Sequence, residues 1–289
     1  MKVGFIGLEN KAFELVSLLN ESRHSIVVYH PVEEFVYEAV NQGIEGAFSI
    51  LELSEKLGDR KVRGGRVFWV MVSYNEKDAV FNELEKILVA GDTIIDSSPA
   101  FYKNSMRKSK DFERIGVEYL DVGVLVDSEN GFRFFIGGRD RSFSKLEKLF
   151  KAVSTSDEYL FLEKPGAGHF VKFVNDVIGL GVSQSFTEGF DLLKNSEFSL
   201  DLEAVLTIFG KSSYEGKAVD ALLEALDDYG ENFINVQVSS KDIKEGEWLK
   251  DTAKRLNVNV RVLEKALSTI KSSRQTKNYQ SKIMSLLDK

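Results

Sequence analysis

Over the first half of the chain, short apolar runs alternate with stretches whose apolar residues recur at spacings of three and four. The runs KVGFIGL, SIVVYH, RVFWVMV, DTIIDSS, VEYLDVGVL and FRFFIGG predict strands. Helices are expected from about Lys11 to Leu19 and through FVYEAVNQG, DAVFNELEKIL, NSMRKSKDFERIG and SFSKLEKLFKAV. This alternation of strand and helix implies an α/β fold, a mostly parallel, doubly wound sheet with helices on both faces. Pro31, Pro99 and Pro165 all fall at element edges.

Beyond KPGAGH the rhythm changes, and from Phe170 onward the pattern is helical with hardly any convincing strand. The expected organisation is therefore an α/β domain over residues 1–165 and an all-helical domain over residues 166–289. The first helix of the second domain, HFVKFVNDVIGLGVSQSFTEGFDLL, is apolar around most of its circumference. It carries Gly179, Gly181 and Gly189, which permit close packing. Such a helix needs cover on several sides, which a large monomeric core or a second subunit would supply, and a homodimer through the helical domain is expected.

Composition narrows the classes. A hydrophobic content of 43% supports a sizeable core. A formal charge of -7, with both signs mixed along the chain, argues against a general grip on nucleic acid or anionic membrane. The chain has no cysteine, so thiolate chemistry, disulfides and cysteine metal clusters are excluded. The N-terminal apolar run is short and broken by glycines, without signal-peptide layout, so a cytoplasmic protein is expected. The three histidines are too scattered along the sequence to suggest a metal site.

VGFIGLENKAF begins like the phosphate-binding turn of a dinucleotide-binding domain. Gly7, Leu8, Glu9, Asn10 and Lys11 are the candidate cofactor positions there, with His30 after the second strand and Val72 after RVFWV. Glu9 stands where the GxGxxG fingerprint needs its second glycine. A carboxylate about 4 Å from a pyrophosphate repels each unit of charge by roughly 4 kcal/mol at an effective dielectric of about 20. Lys11 offers a partial counter-charge. In VVYHPVEE His30 is the one candidate cation, and Glu33 and Glu34 are expected to begin a helix.

The ordered segments GFIGL, RVFWVMV, GDTIIDSSPAFYKNS, YLDVGV, NGFRFFIGG, GAGHFVKFVND and QSFTEGFDLL, followed by EGEW and LNVNVRVLEKALSTIKSSR, resemble the 6-phosphogluconate dehydrogenases, within the wider β-hydroxyacid dehydrogenases. The resemblance implies a Rossmann-like, NADP-binding first domain and a helical second one. It also implies oxidation of a hydroxyl with hydride passing to NADP, loss of carbon dioxide, and protonation of the enediol.

The resemblance places the family's lysine base at Lys172 and puts Asp176 where the family has asparagine. Two readings of Lys172 stay open: a base desolvated by Phe170, Val171, Phe173 and Val174, or one half of an ion pair with Asp176 four positions on. Gly179 and Leu180 replace the family's glutamate acid and phosphate-holding tyrosine, and Glu188 lies roughly 13 Å further along the helix. Ser97, Ser98 and Pro99 replace the substrate-binding Gly-Gly-Asn turn. The Ser-Gly-Gly turn is replaced by Val124 to Asn130, with Asp127, Ser128 and Glu129. Lys211 and Lys217 stand near the family's arginine, and SLLDK does not match its glycine-histidine tail.

Two functions follow as expectations. The several departures suggest a pseudoenzyme, kept as a dimeric scaffold, partner-binding module or sensor with no cofactor. The alternative is an NAD(P)-dependent oxidoreductase of altered substrate, using Lys172 and Asp176, with NADP or NAD shifted around Glu9.

Overall fold

Strands covered on both faces should be buried along their whole length, and the central strands are. In the computed structural model, Val67–Val70 and Thr93–Asp96 have no exposed residue. The structure describes all residues except 10, 23, 59–64, 127–130, 211–215, 234, 240–243 and 288–289. The chain divides into two units, Met1–Phe173 and Val174–Lys289.

In the first unit the order is β1 (Lys2–Ile6), α1 (Lys11–Glu21), β2 (Ser25–Tyr29), α2 (Glu33–Asn41), β3 (Glu45–Ala47), α3 (Ile50–Lys56) and β4 (Val67–Val70). It continues with α4 (Lys77–Glu85), β5 (Thr93–Asp96), α5 (Tyr102–Arg114), β6 (Glu118–Val126), β7 (Phe132–Gly137), α6 (Asp140–Val153) and β8 (Ser154–Phe161). The eight strands form one sheet, ordered β3-β2-β1-β4-β5-β6-β7-β8. All neighbours are parallel except β6 and β7.

Alternate residues of the same strands feed two separate cores. Phe5, Trp69 and Ile95 pack with α1 and α6 on one face, where Trp69 meets Phe150 at 5.4 Å between ring centroids. Ile6, Phe68, Val70 and Ile94 pack with α3, α4 and α5 on the other. A buried ion pair ties the amino end of β4 to that of β5: Arg66 and Asp92 are 2% and 1% exposed, with Nη2 2.5 Å from Oδ2.

All six strands expected from the sequence are present, and Glu33 and Glu34 do open α2. Three elements escaped the periodicity argument. β3 is only three residues with a central glycine, α3 is only seven, and β8 is a largely exposed edge strand without alternation.

The helix α7 (Ala167–Lys194) begins in the first unit and continues into the second. The second unit adds α8 (Leu202–Gly210), α9 (Gly216–Tyr229), α10 (Glu245–Leu256), α11 (Arg261–Thr276) and α12 (Tyr279–Leu287), with no strand among the described residues. Its core gathers Phe190, Leu206, Leu222, Phe233 and Ile283. Ile178, Val182, Leu192, Phe198 and Ile208 are exposed there, and a groove of about 550 Å³ runs beside Phe186, Phe190 and Phe198.

Candidate functional site

The carboxyl ends of the central strands line up, with Ile6 opposite Val70, Val70 opposite Asp96 and Asp96 opposite Asp121. In open parallel sheets the ligand crevice lies just beyond such a row. Gly7 leaves β1 there with φ +108°, and its N–H donates to Tyr29 O at 2.9 Å. A Cβ on Gly7 would stand 2.0 Å from Met71 O and 3.0 Å from Val72 Cγ1, so only glycine lets the turn cross the end of β4. Leu8 is buried in the core, so it can offer a ligand only its backbone. Lys11 opens α1 and forms an ion pair with Glu14 at 2.9 Å. Asn10 lies outside the described residues.

Folding draws Glu9 and His30 together with Glu76, a residue the sequence reading did not single out. One ligating atom of each lies within 4.8 Å of the others. Of the three histidines, His30 is the one that joins this cluster. The ring is 1% exposed, sits 4.6 Å from the Phe35 ring, and accepts at Nδ1 from the Val32 N–H at 3.0 Å. Its Nε2 is buried without a partner. Glu76 Oε2 accepts from Ser73 N at 3.2 Å and Ser73 Oγ at 2.6 Å.

The serines that replace the family's glycines are spent on structure. Ser97 Oγ accepts from Trp69 Nε1 at 2.8 Å, and Ser98 Oγ accepts from Val72 N at 3.1 Å. Beside them Lys77 Nζ lies 2.8 Å from Asp96 Oδ2 and donates to Ser98 O at 3.2 Å, while Tyr119 OH donates to Asp96 Oδ2 at 2.6 Å. Burial acts to raise the Asp96 pKa, but the Lys77 ammonium and these hydrogen bonds hold it below the ordinary carboxylate value. Burial first, then the Asp96 charge, push the Tyr119 phenol well up. A cavity of about 140 Å³ opens against this group, with Arg107 and Lys108 on its wall.

The seat of α7 is built with equal care. The Asp121 carboxylate accepts from Gly166 N at 2.5 Å and His169 N at 2.9 Å, meeting backbone N–H groups that a helix start leaves unsatisfied. Gly168 packs so tightly that a Cβ would lie 2.4 Å from both Asp121 O and Phe135 O. On β6, a Cβ on Gly123 would lie 2.6 Å from Lys172 Cβ and 2.6 Å from Gly168 O. Gly123 is two positions beyond the row of strand ends, so Lys172 is held at the rim of the crevice. His169 is a buried packing residue whose Nδ1 meets Ser105 Oγ at 2.6 Å, and burial lowers its pKa.

Asp176, Gly179, Leu180 and Glu188 fall in the second unit, on the continuation of α7. Glu188 accepts there from Gln184 Nε2 at 2.8 Å. Residues 127–130 and Lys211 lie outside the described residues, as does the side chain of Lys217. Among the described residues, no helix is long and apolar enough to cross a membrane.

A glycine turn over a parallel sheet, leading into a helix and followed by a second, helical unit, defines a protein of the Rossmann-like class. The family model for the NAD binding domain of 6-phosphogluconate dehydrogenase matches residues 2–162, and the chain belongs to this family. It is 27% identical to the "Putative 6-phosphogluconate dehydrogenase YqeC" of Bacillus subtilis, across 99% of this chain and 96% of that one. Identity is also 27% to the NAD(+)-dependent, decarboxylating 6-phosphogluconate dehydrogenase of Haloferax volcanii, across 99% of this chain and 95% of the relative. The 3-hydroxyisobutyrate dehydrogenase of Salmonella typhimurium shares the fold, with a TM-score of 0.75 at 18% identity over 98% of this chain and 99% of that one. The family match supports a nicotinamide dinucleotide over the expectation of no cofactor.

Proposed function

We propose that the protein is a nicotinamide-dependent oxidoreductase that acts on a hydroxy acid with Lys172 as its proton-transfer group, and that it does not decarboxylate 6-phosphogluconate. The seating of Lys172 carries this reading. Asp121, Gly123 and Gly168 fix the start of α7, and with it the Lys172 Cβ, against β6 just beyond the row of strand ends.

The turn at Gly7 fits a dinucleotide, because it is a cradle that a Cβ would fill. When bound, the nicotinamide supplies the hydride acceptor. The chain's own task is to hold the substrate hydroxyl beside Lys172, which takes the hydroxyl proton as the carbinol becomes a carbonyl. Gly179 and Leu180 offer no acid to protonate an enediol, which is why the decarboxylating half of the family reaction is left out.

Calorimetry with NADH and NADPH, followed by absorbance assays with NAD or NADP and a panel of hydroxy acids, tests the reading. Reduction of nicotinamide by at least one hydroxy acid, with no carbon dioxide released from 6-phosphogluconate, is expected. Failure of both nucleotides to bind, with and without divalent cations, would return the protein to the pseudoenzyme reading. The exposed Ile178, Val182, Leu192, Phe198 and Ile208 support a homodimer through the helical unit. Light scattering should then give twice the chain mass of 32.5 kDa, and a monomer at all concentrations would refute it.

A further inference from the structure

Glu9, His30 and Glu76 come from the β1–α1 turn, the residue after β2 and the residue before α4, yet they converge within 4.8 Å. Two carboxylates that close repel one another, and the turn that carries one of them is the place where a pyrophosphate belongs. Ser73 holds the Glu76 carboxylate through both its N–H and its hydroxyl. The histidine gives independent evidence of a ligand. Because Nδ1 accepts the Val32 N–H, the proton of the neutral ring sits on Nε2. That Nε2 is a buried donor with no acceptor, on a ring 1% exposed.

We infer that Glu9 and Glu76 hold a divalent, oxygen-preferring cation, Mg²⁺ or Mn²⁺, and that this ion bridges the chain to the pyrophosphate of the nicotinamide dinucleotide. An ion with ligands at about 2.0–2.6 Å spans opposite ligands roughly 4–5 Å apart, so small side-chain adjustments close the observed 4.8 Å cluster around one ion. Mg²⁺ characteristically takes one or two carboxylates together with phosphate oxygens and water. His30 does not ligate while Val32 occupies Nδ1. Its Nε2–H instead donates to an ion-bound water or a phosphate oxygen, orienting the ligand sphere. Glu9 then changes meaning: facing a pyrophosphate directly it repels, but with the ion between them the interaction becomes attractive.

The bridging role rests on the nicotinamide dependence proposed above, while ion binding does not. The full chain without nucleotide is titrated with Mn²⁺ and free ion is read by electron paramagnetic resonance. One saturable site is expected, weakened at least tenfold in Glu9→Gln and in Glu76→Gln, both checked for folding by circular dichroism. Affinity no better than about 1 mM, or variants that bind like the parent, would overturn the site. NADH and NADPH are then titrated in Mn²⁺ and in EDTA, and binding at least tenfold tighter with the ion is expected. Equal dinucleotide binding in both buffers overturns the bridge and leaves the oxidoreductase reading standing. No dinucleotide binding in either overturns the bridge and that reading together. Zn²⁺ bound more tightly than Mn²⁺ and lost in His30→Gln would overturn the oxygen-only assignment.

Discussion

Asp92→Ala is expected to cost about 3–5 kcal/mol of stability, the range for removing one partner of a fully buried ion pair. The Asp92 carboxylate accepts from Arg66 N at 3.0 Å, Arg66 Nε at 3.1 Å, Arg66 Nη2 at 2.5 Å and Val89 N at 3.0 Å. Arg66 reaches in addition to Ile87 O at 2.9 Å and to Ser54 Oγ. Truncation would leave a buried guanidinium without its counter-charge and two backbone N–H groups without their acceptor. The loss should exceed that from replacing both partners by apolar residues, since Arg66→Met with Asp92→Leu removes the stranded charge as well. Urea unfolding followed by Trp69 fluorescence measures both, in a Trp248→Phe background so that the first unit reports alone. The two units need not unfold together, so a probe confined to one is required. A loss below about 1 kcal/mol in Asp92→Ala would show that water or a rearranged Arg66 rescues the site.

The fold was legible because its signal is local. Strands covered on both faces must be apolar throughout, and KVGFIGL and RVFWVMV say so without any partner in view. The weak elements were lost for the same reason. β8 is exposed at the sheet edge, so its order comes from pairing with β7 and not from a pattern of its own. Within the candidate site, Gly7 is singled out by motif position and Lys172 by the family resemblance. The use of Asp121, Gly123 and Gly168 was not legible, because a glycine's role in close approach depends on which backbone crosses it. Glu76 carried no signal at all. It acts through convergence with Glu9 and His30 across three strand ends, and only the register of β1, β2 and β4 decides that. The register of β4 against β5 likewise brings Ser97 and Ser98, which stand in place of the substrate turn, within hydrogen-bonding reach of Trp69 and Val72.

Lys172→Met should lower turnover with any hydroxy acid that reduces the nicotinamide by about 10²–10⁴-fold, the usual contribution of a positioned proton-transfer group. Methionine keeps an apolar stem of similar reach beside Gly123, so α7 stays seated and dinucleotide affinity should stay within about twofold. The competing reading makes Lys172 one half of an ion pair with Asp176, worth about 0.3–0.5 kcal/mol on a helix surface. It predicts a small stability loss and unchanged turnover. A factor of 10²–10⁴ corresponds to about 2.7–5.4 kcal/mol of barrier, so the two readings differ several-fold in free energy and appear in different measurements. Gly123→Val separates the position of the lysine from its chemistry. The added Cβ meets Lys172 Cβ and Gly168 O, each at 2.6 Å, and must push the start of α7 off β6. If Lys172 acts from this seat, Gly123→Val should lose most of the turnover with the lysine still present. Turnover within fivefold of the parent in Lys172→Met would remove Lys172 from the chemistry and leave the glycine-lined seat as packing alone.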